Sequence, residues 1–150
     1  MEELNATDIS AKIKSQFSVM FNSGVNQFHA GNYEKAKETF LKAMPFGIEL
    51  SKCTKSIASC CQMLEEYSQA IDFYKLSLLY NKSANIDCYH FIGVCAVKDK
   101  QFNIAIENLQ QYLEATAKIE SSDVDESALK SAKLYLKIAK QKLAELNKKI

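Results

Sequence analysis

A segment of this chain recurs at a nearly fixed interval. Gly31-Asn32-Tyr33-Glu34-Lys35-Ala36, followed by Phe40 and Ala43, returns 34 residues later as Glu65-Glu66-Tyr67-Ser68-Gln69-Ala70 with Tyr74 and Ser77. It returns again 35 residues further on as Lys100-Gln101-Phe102-Asn103-Ile104-Ala105 with Leu109 and Tyr112. A small residue, Gly24, Ala58 or Gly93, stands 12 positions before the Ala of each unit. A unit this short cannot bury its apolar face alone, so the units must stack on one another, and three are about the minimum for stability.

The units read as helical. The chain has one Pro and four Gly, and no run alternates apolar with polar residues, whereas helical spacing is widespread. The spacing predicts an all-α fold with helices near 10–30, 33–44, 49–64, 67–81, 85–98, 102–118 and 125–149, and with Asp8 and Asp125 as caps. Gly24, Ala58 and Gly93 let the first helix of each pair approach the second closely, and Ala36, Ala70 and Ala105 do the same from the other side. Tyr33, Tyr67 and Phe102 plug the turn between them.

With this period and these crossings the chain resembles the tetratricopeptide repeat. That resemblance implies a right-handed superhelix, or α-solenoid, in which the first helix of each pair lines a concave, peptide-holding face. The whole chain reads as one domain: an N-terminal segment 1–16, three motifs at about 17–50, 51–84 and 86–118, and a long capping helix at 124–150. Pro45 falls early in the first motif, and the loop before the third holds an extra residue.

Counted in the repeat frame, the inward positions are Phe21, Val25 and Phe28 in the first unit, Lys55, Ser59 and Gln62 in the second, and His90, Val94 and Val97 in the third. The groove is thus expected to be apolar at both ends and polar in the middle. Relatives that clamp a doubly charged chain end need Lys, Asn and Arg at places held here by Phe21, Val25, Ser56, Asp87 and Phe91, so that mode is excluded.

Several stretches are similar to a narrower family, the class II chaperones of bacterial type III secretion. They are Phe21, Val25 and Phe28 before Ala30-Gly31-Asn32; Ala58-Ser59-Cys60-Cys61-Gln62; Tyr89-His90-Phe91-Ile92-Gly93-Val94-Cys95; and Asp125-Glu126-Ser127-Ala128-Leu129 followed by Tyr135-Leu136. The resemblance implies a holder of a secreted hydrophobic translocator or effector, which binds an extended segment without nucleotide, cofactor or chemistry. The short N-terminal segment and the basic tail depart from that family. The alternative is a scaffold subunit docked permanently in a larger assembly.

Charge and cysteines narrow the remaining classes. Residues 1–126 hold 12 Lys against 17 acids, and residues 127–150 hold 7 Lys against one Glu, so an acidic body carries a basic tail. All 19 cations are Lys, and without Arg a nucleic-acid partner is not expected. The uncharged stretch Cys88 to Val97 is far short of the roughly 20 apolar residues of a membrane span, and the start lacks signal-peptide features, so a cytoplasmic protein is expected. Cys53, Cys60, Cys61, Cys88 and Cys95 read as reduced thiols used as small apolar packing, not as metal ligands, because no CxxC pair occurs. His29 and His90 sit on different units and no catalytic motif is present, so no enzyme is expected.

In the last helix Leu129, Ala132, Leu136, Ala139, Leu143, Leu146 and Ile150 follow heptad spacing, with Leu134, Tyr135 and Ile138 as a second stripe. Such a helix closes the third unit. Leu129, Leu136, Leu143 and Leu146 are also candidates for a homodimer or partner seam.

Overall fold

Seven α-helices make up the computed structural model, which describes residues 5–149: α1 Ala6–His29, α2 Tyr33–Ala43, α3 Leu50–Met63, α4 Tyr67–Tyr80, α5 Asp87–Lys98, α6 Phe102–Ala117 and α7 Glu126–Asn147. No strand occurs among the described residues. Glu2, Glu3 and the seam residue Ile150 lie outside them.

The first helix of each pair closes in the same way. Gly31, Glu65 and Lys100 all take the left-handed conformation, with φ of 81°, 60° and 59°. The next N–H, of Asn32, Glu66 and Gln101, donates back to the carbonyls of Gln27, Cys61 and Ala96 at 2.9, 2.8 and 2.8 Å. This Schellman closure satisfies carbonyls that the helix end would otherwise leave open. Only the first unit uses glycine for it, so Glu65 and Lys100 each carry roughly 1 kcal/mol of backbone strain.

The crossings explain the other repeated positions. A Cβ on Gly24 would sit 2.6 Å from Phe40 Cε1, and one on Gly93 would sit 2.3 Å from Leu109 Cγ. Ala36, Ala58, Ala70 and Ala105 are fully buried at the same crossings. The large apolar residue four after each Ala therefore fills the space that the small residue of the preceding helix vacates.

Successive pairs stack in order, α2 on α3, α4 on α5 and α6 on α7. Polar ties fix the packing within and between the pairs. Asn85 Nδ2 donates to Ser51 Oγ at 2.5 Å and to the Asn81 carbonyl at 2.7 Å, while Ser77 Oγ donates to the Ser51 carbonyl at 2.8 Å. Lys37 Nζ meets Glu66 Oε2 at 2.6 Å, and that bond raises the lysine pKa above its ordinary value.

Two ends differ from the sequence expectation. The cap of α1 is Asn5 and not Asp8: Asp8 donates its own N–H to Asn5 Oδ1 at 2.9 Å, so the helix begins at Ala6. Asp125 does cap α7, accepting from the Ala128 N–H at 3.1 Å. Pro45 ends α2 at Ala43 and starts a short 3-10 turn, Met44–Phe46, which Gly47 closes at φ 68°. That turn brings the Phe46 ring to 6.3 Å from Phe17 and covers the base of α1.

The five cysteines are buried free thiols within the helix pairs. Among the described residues no three His, Cys, Asp or Glu side chains gather as a metal site, and no helix is long and apolar enough to cross a membrane.

Candidate peptide-binding site

The row of first helices α1, α3 and α5 carries all nine groove positions named above, but they do not share one fate. In the first unit Val25 and Phe28 are half-buried, and with His29, Phe40, Ser56 and Ser59 they line a cavity of about 180 Å³ between α1 and α3. An apolar cavity of about 150 Å³ suffices for a benzene ring, so this one accepts an aromatic or branched aliphatic side chain. Phe28 is held edge-on by Tyr33, ring centres 5.1 Å apart, which fixes one wall.

Phe21 is not part of that wall. It is 6% exposed, stacked at 5.7 Å on Phe17 and tilted at 5.2 Å against Phe40, with Lys52 Nζ 4.9 Å above its ring. It belongs to the core, and the expectation that it lines an open groove is corrected.

The same place in the next two units behaves alike. Lys55 Nζ meets Asp87 Oδ2 at 2.6 Å, joining α3 to α5. His90, only 9% exposed, places Nε2 2.9 Å from Ser131 Oγ and so joins α5 to α7. Phe21, Lys55 and His90 thus each reach the next helix of the concave row, as an aromatic under a cation, an ion pair and a hydrogen bond. Burial lowers the His90 pKa below its usual value, opposed by Asp125 and Asp87, which favours the neutral ring.

The middle of the face is built on Tyr74. Its hydroxyl, buried among α3 and α5, donates to Gln62 Oε1 at 2.7 Å and lies 3.3 Å from Ser59 Oγ. Its ring is 5.3 Å from Phe91. Burial pushes the Tyr74 pKa up, so the group remains a donor across the ordinary pH range. Ser59 and Gln62 therefore present a fixed polar surface whose side chains are already engaged, and Lys55 is tied to Asp87.

The third unit departs most from expectation. Val94 is buried at the rim of the core, and Val97 faces α7, lining a separate cleft with Ile138 and Leu146. The reason is that α7 packs on α5 as well as on α6 and so covers the far end of the face. Its seam is used in doing so: Ala132 and Ala139 are fully buried, Leu129, Leu136 and Leu143 pack on the core, and Leu146 is 49% exposed. Among the described residues the buried part of the seam is thus spent on closing the third unit.

Ser56 was not among the expected groove residues, although it stands beside Val25 in the cavity wall, and Phe91 on Tyr74 was likewise outside that set. Both sit two places before their unit's small residue, one residue and about 100° of turn beyond the position held by Lys55 and His90. That step separates the buried stripe from the open face.

No protein-family model and no curated protein sequence matches the chain. Solved structures do. The type III secretion chaperone SycD of Yersinia enterocolitica, in complex with a peptide of the translocator YopD, superposes with a TM-score of 0.75 at 17% identity over 85% of this chain and 95% of that one. PcrH from Pseudomonas aeruginosa gives 0.71 at 15% identity, over 93% and 96%. The first tetratricopeptide-repeat domain of human RPAP3 gives 0.70 at 19%, over 89% and 97%. The chain has the tetratricopeptide-repeat fold, a helical solenoid of three pairs closed by α7.

Proposed function

We propose that this chain is a peptide-holding chaperone that binds an extended segment of a hydrophobic secreted protein, a translocator or an effector, in the bacterial cytoplasm before type III secretion. What carries the reading is the apolar cavity between α1 and α3, whose walls Val25 and Phe28 are open to one anchoring side chain. The likeness of fold to SycD, a chaperone holding a translocator peptide, supports it.

The mechanism is passive. One apolar side chain of the client enters the cavity, and its backbone runs over the polar middle of Ser59 and Gln62 toward Phe91. The helices α1 and α3 are already fixed by their own stacking, so little ordering entropy is lost from the holder on binding. Sequestering the segment keeps an aggregation-prone client from pairing with itself. No residue of the site is placed to do covalent chemistry.

The test is a pull-down from native cytoplasm with the wild type beside Ser56→Leu, which fills the cavity from its wall without touching the core residue Phe21. A hydrophobic secreted protein captured by the wild type and lost by the variant supports the reading. Stable assembly components retained equally by both would replace it with a scaffold subunit.

A further inference from the structure

Another concave feature lies where the last turns of α7 overhang the turn between α5 and α6. Val97, Phe102, Ile138 and Leu146 floor a cleft of about 400 Å³ there. Its rim carries Lys98, Lys100, Lys142 and Lys149, against the single acid Glu145. Among the described residues neither Lys98 nor Lys100 has a carboxylate partner, and Lys142 meets Glu145 only at 3.7 Å with both side chains more than half exposed. Lys98 lies instead 5.6 Å over the Tyr67 ring. Residues 127–150, which supply all of α7 but its first residue, hold seven Lys and one acid, so Glu145 alone on that stretch offsets the rim.

We propose that this cleft docks an acidic segment of a partner protein that carries one apolar anchor, a surface distinct from the groove. Charge complementarity selects the occupant. Four like charges around an apolar floor, offset by one exposed carboxylate, still repel one another until further carboxylates come between them, and Leu146 offers the anchor an exposed apolar contact. A flat anionic membrane cannot enter the cleft to reach that floor. A single nucleic-acid strand would want open ring faces and guanidinium groups, but the one ring of the floor, Phe102, is buried and the chain has no Arg.

The experiment uses the full chain and a fluorescein-labelled synthetic dodecapeptide with Glu and Asp flanking a central Leu-Leu-Phe, read by anisotropy at low salt. A matched peptide with every acid replaced by its amide is the control, beside vesicles containing phosphatidylserine. Lys100→Gly with Lys142→Gln removes two rim charges safely, because Gly31 already holds the turn position of Lys100 in the first unit. The acidic peptide is expected to bind at least about tenfold tighter than its amide twin and to lose about tenfold in the double variant, two partly screened pairs being removed. Leu146→Gln, which leaves the charge intact, is expected to weaken it as well, and Ser56→Leu to leave it unchanged. Equal binding of both peptides, indifference to either rim or floor variant, or preference for the vesicles would overturn the proposal.

Discussion

Gly93→Ala adds a single methyl group at the crossing of α5 and α6, and the structure sets its cost. The new Cβ would stand 2.3 and 2.4 Å from Leu109 Cγ and Cδ2 and 3.1 Å from Cδ1. Carbon atoms in contact sit at about 3.5 to 4.0 Å, so the helices must part by more than about 1 Å or Leu109 must leave its rotamer. Leu109 is fully buried and cannot turn into solvent. Overpacking of this kind costs about 1 to 3 kcal/mol, and two contacts so far inside the limit place the variant at the upper end. Ala gains about 1 kcal/mol over Gly in a helix interior, which leaves a net loss of about 1 to 2 kcal/mol. Thermal unfolding should then shift down by about 2 to 8 °C for a chain of this size. In a Leu109→Ala background the clash is absent, and the same substitution should become neutral or stabilising. A Gly93→Ala protein as stable as the wild type, or more so, would refute the close crossing on which the repeat frame rests.

Burial pushes the thiols of Cys60 and Cys95 up to about 12 and those of Cys53 and Cys88 to about 11. A raised folded pKa contributes stability that is whole below the unfolded value of about 9 and is lost as pH rises through the folded value, so chemical unfolding should grow easier from pH 9 upward by about 1.4 kcal/mol per pH unit for each such thiol; a Cys60→Ser, Cys95→Ser protein with the same slope would contradict this. His90 has the opposite sign: its lowered pKa stabilises the fold above the unfolded value of about 6.5 and the contribution is lost as pH falls through the folded one. Protection of the α7 amides, taken relative to the intrinsic exchange rate at each pH, should fall on acidification to pH 5, and a His90→Gln protein showing the same fall would assign it to another group. Leu136→Asp with Leu143→Asp places two charges against the core and should detach α7, costing about 3 kcal/mol or more and opening the helix to protease. Unchanged stability and protease resistance would mean that this helix does not close the third unit.

The sequence makes the helices and their crossings legible because both are repeated constraints. Gly24, Ala58 and Gly93 mark one crossing three times, and the observed helices start and end within a few residues of their expected bounds. Single events were harder to read. Asn5 captures the start of α1 from Asp8 through one side-chain hydrogen bond, and with two good cap residues three apart the sequence does not choose between them. The site was legible only in part, because helical spacing identifies a stripe but not which of its members the neighbouring helix covers. Val25, Phe28 and Ser59 line the cavity as the frame suggests, while Phe21 is swallowed by Phe17 and Phe40. His90 and Val94 are lost to the groove because α7 leans on α5, a tertiary choice that no period in the sequence encodes.

The burial of Phe21 also changes which variants report on binding. Truncating it removes a core ring and should cost about 3 to 5 kcal/mol of stability, so lost capture would say nothing about the groove. Ser56→Leu avoids that confusion, because its side chain lines the open cavity.

Hydrogen exchange measured along the chain, alone and with the segment of the captured partner bound, tests the groove most directly. Slowed exchange confined to 21–29 of α1 and 52–62 of α3, and absent with Ser56→Leu, is the predicted result. Protection confined to α7, with α1 and α3 unaffected, would contradict it and move the function of the chain to its C-terminal helix.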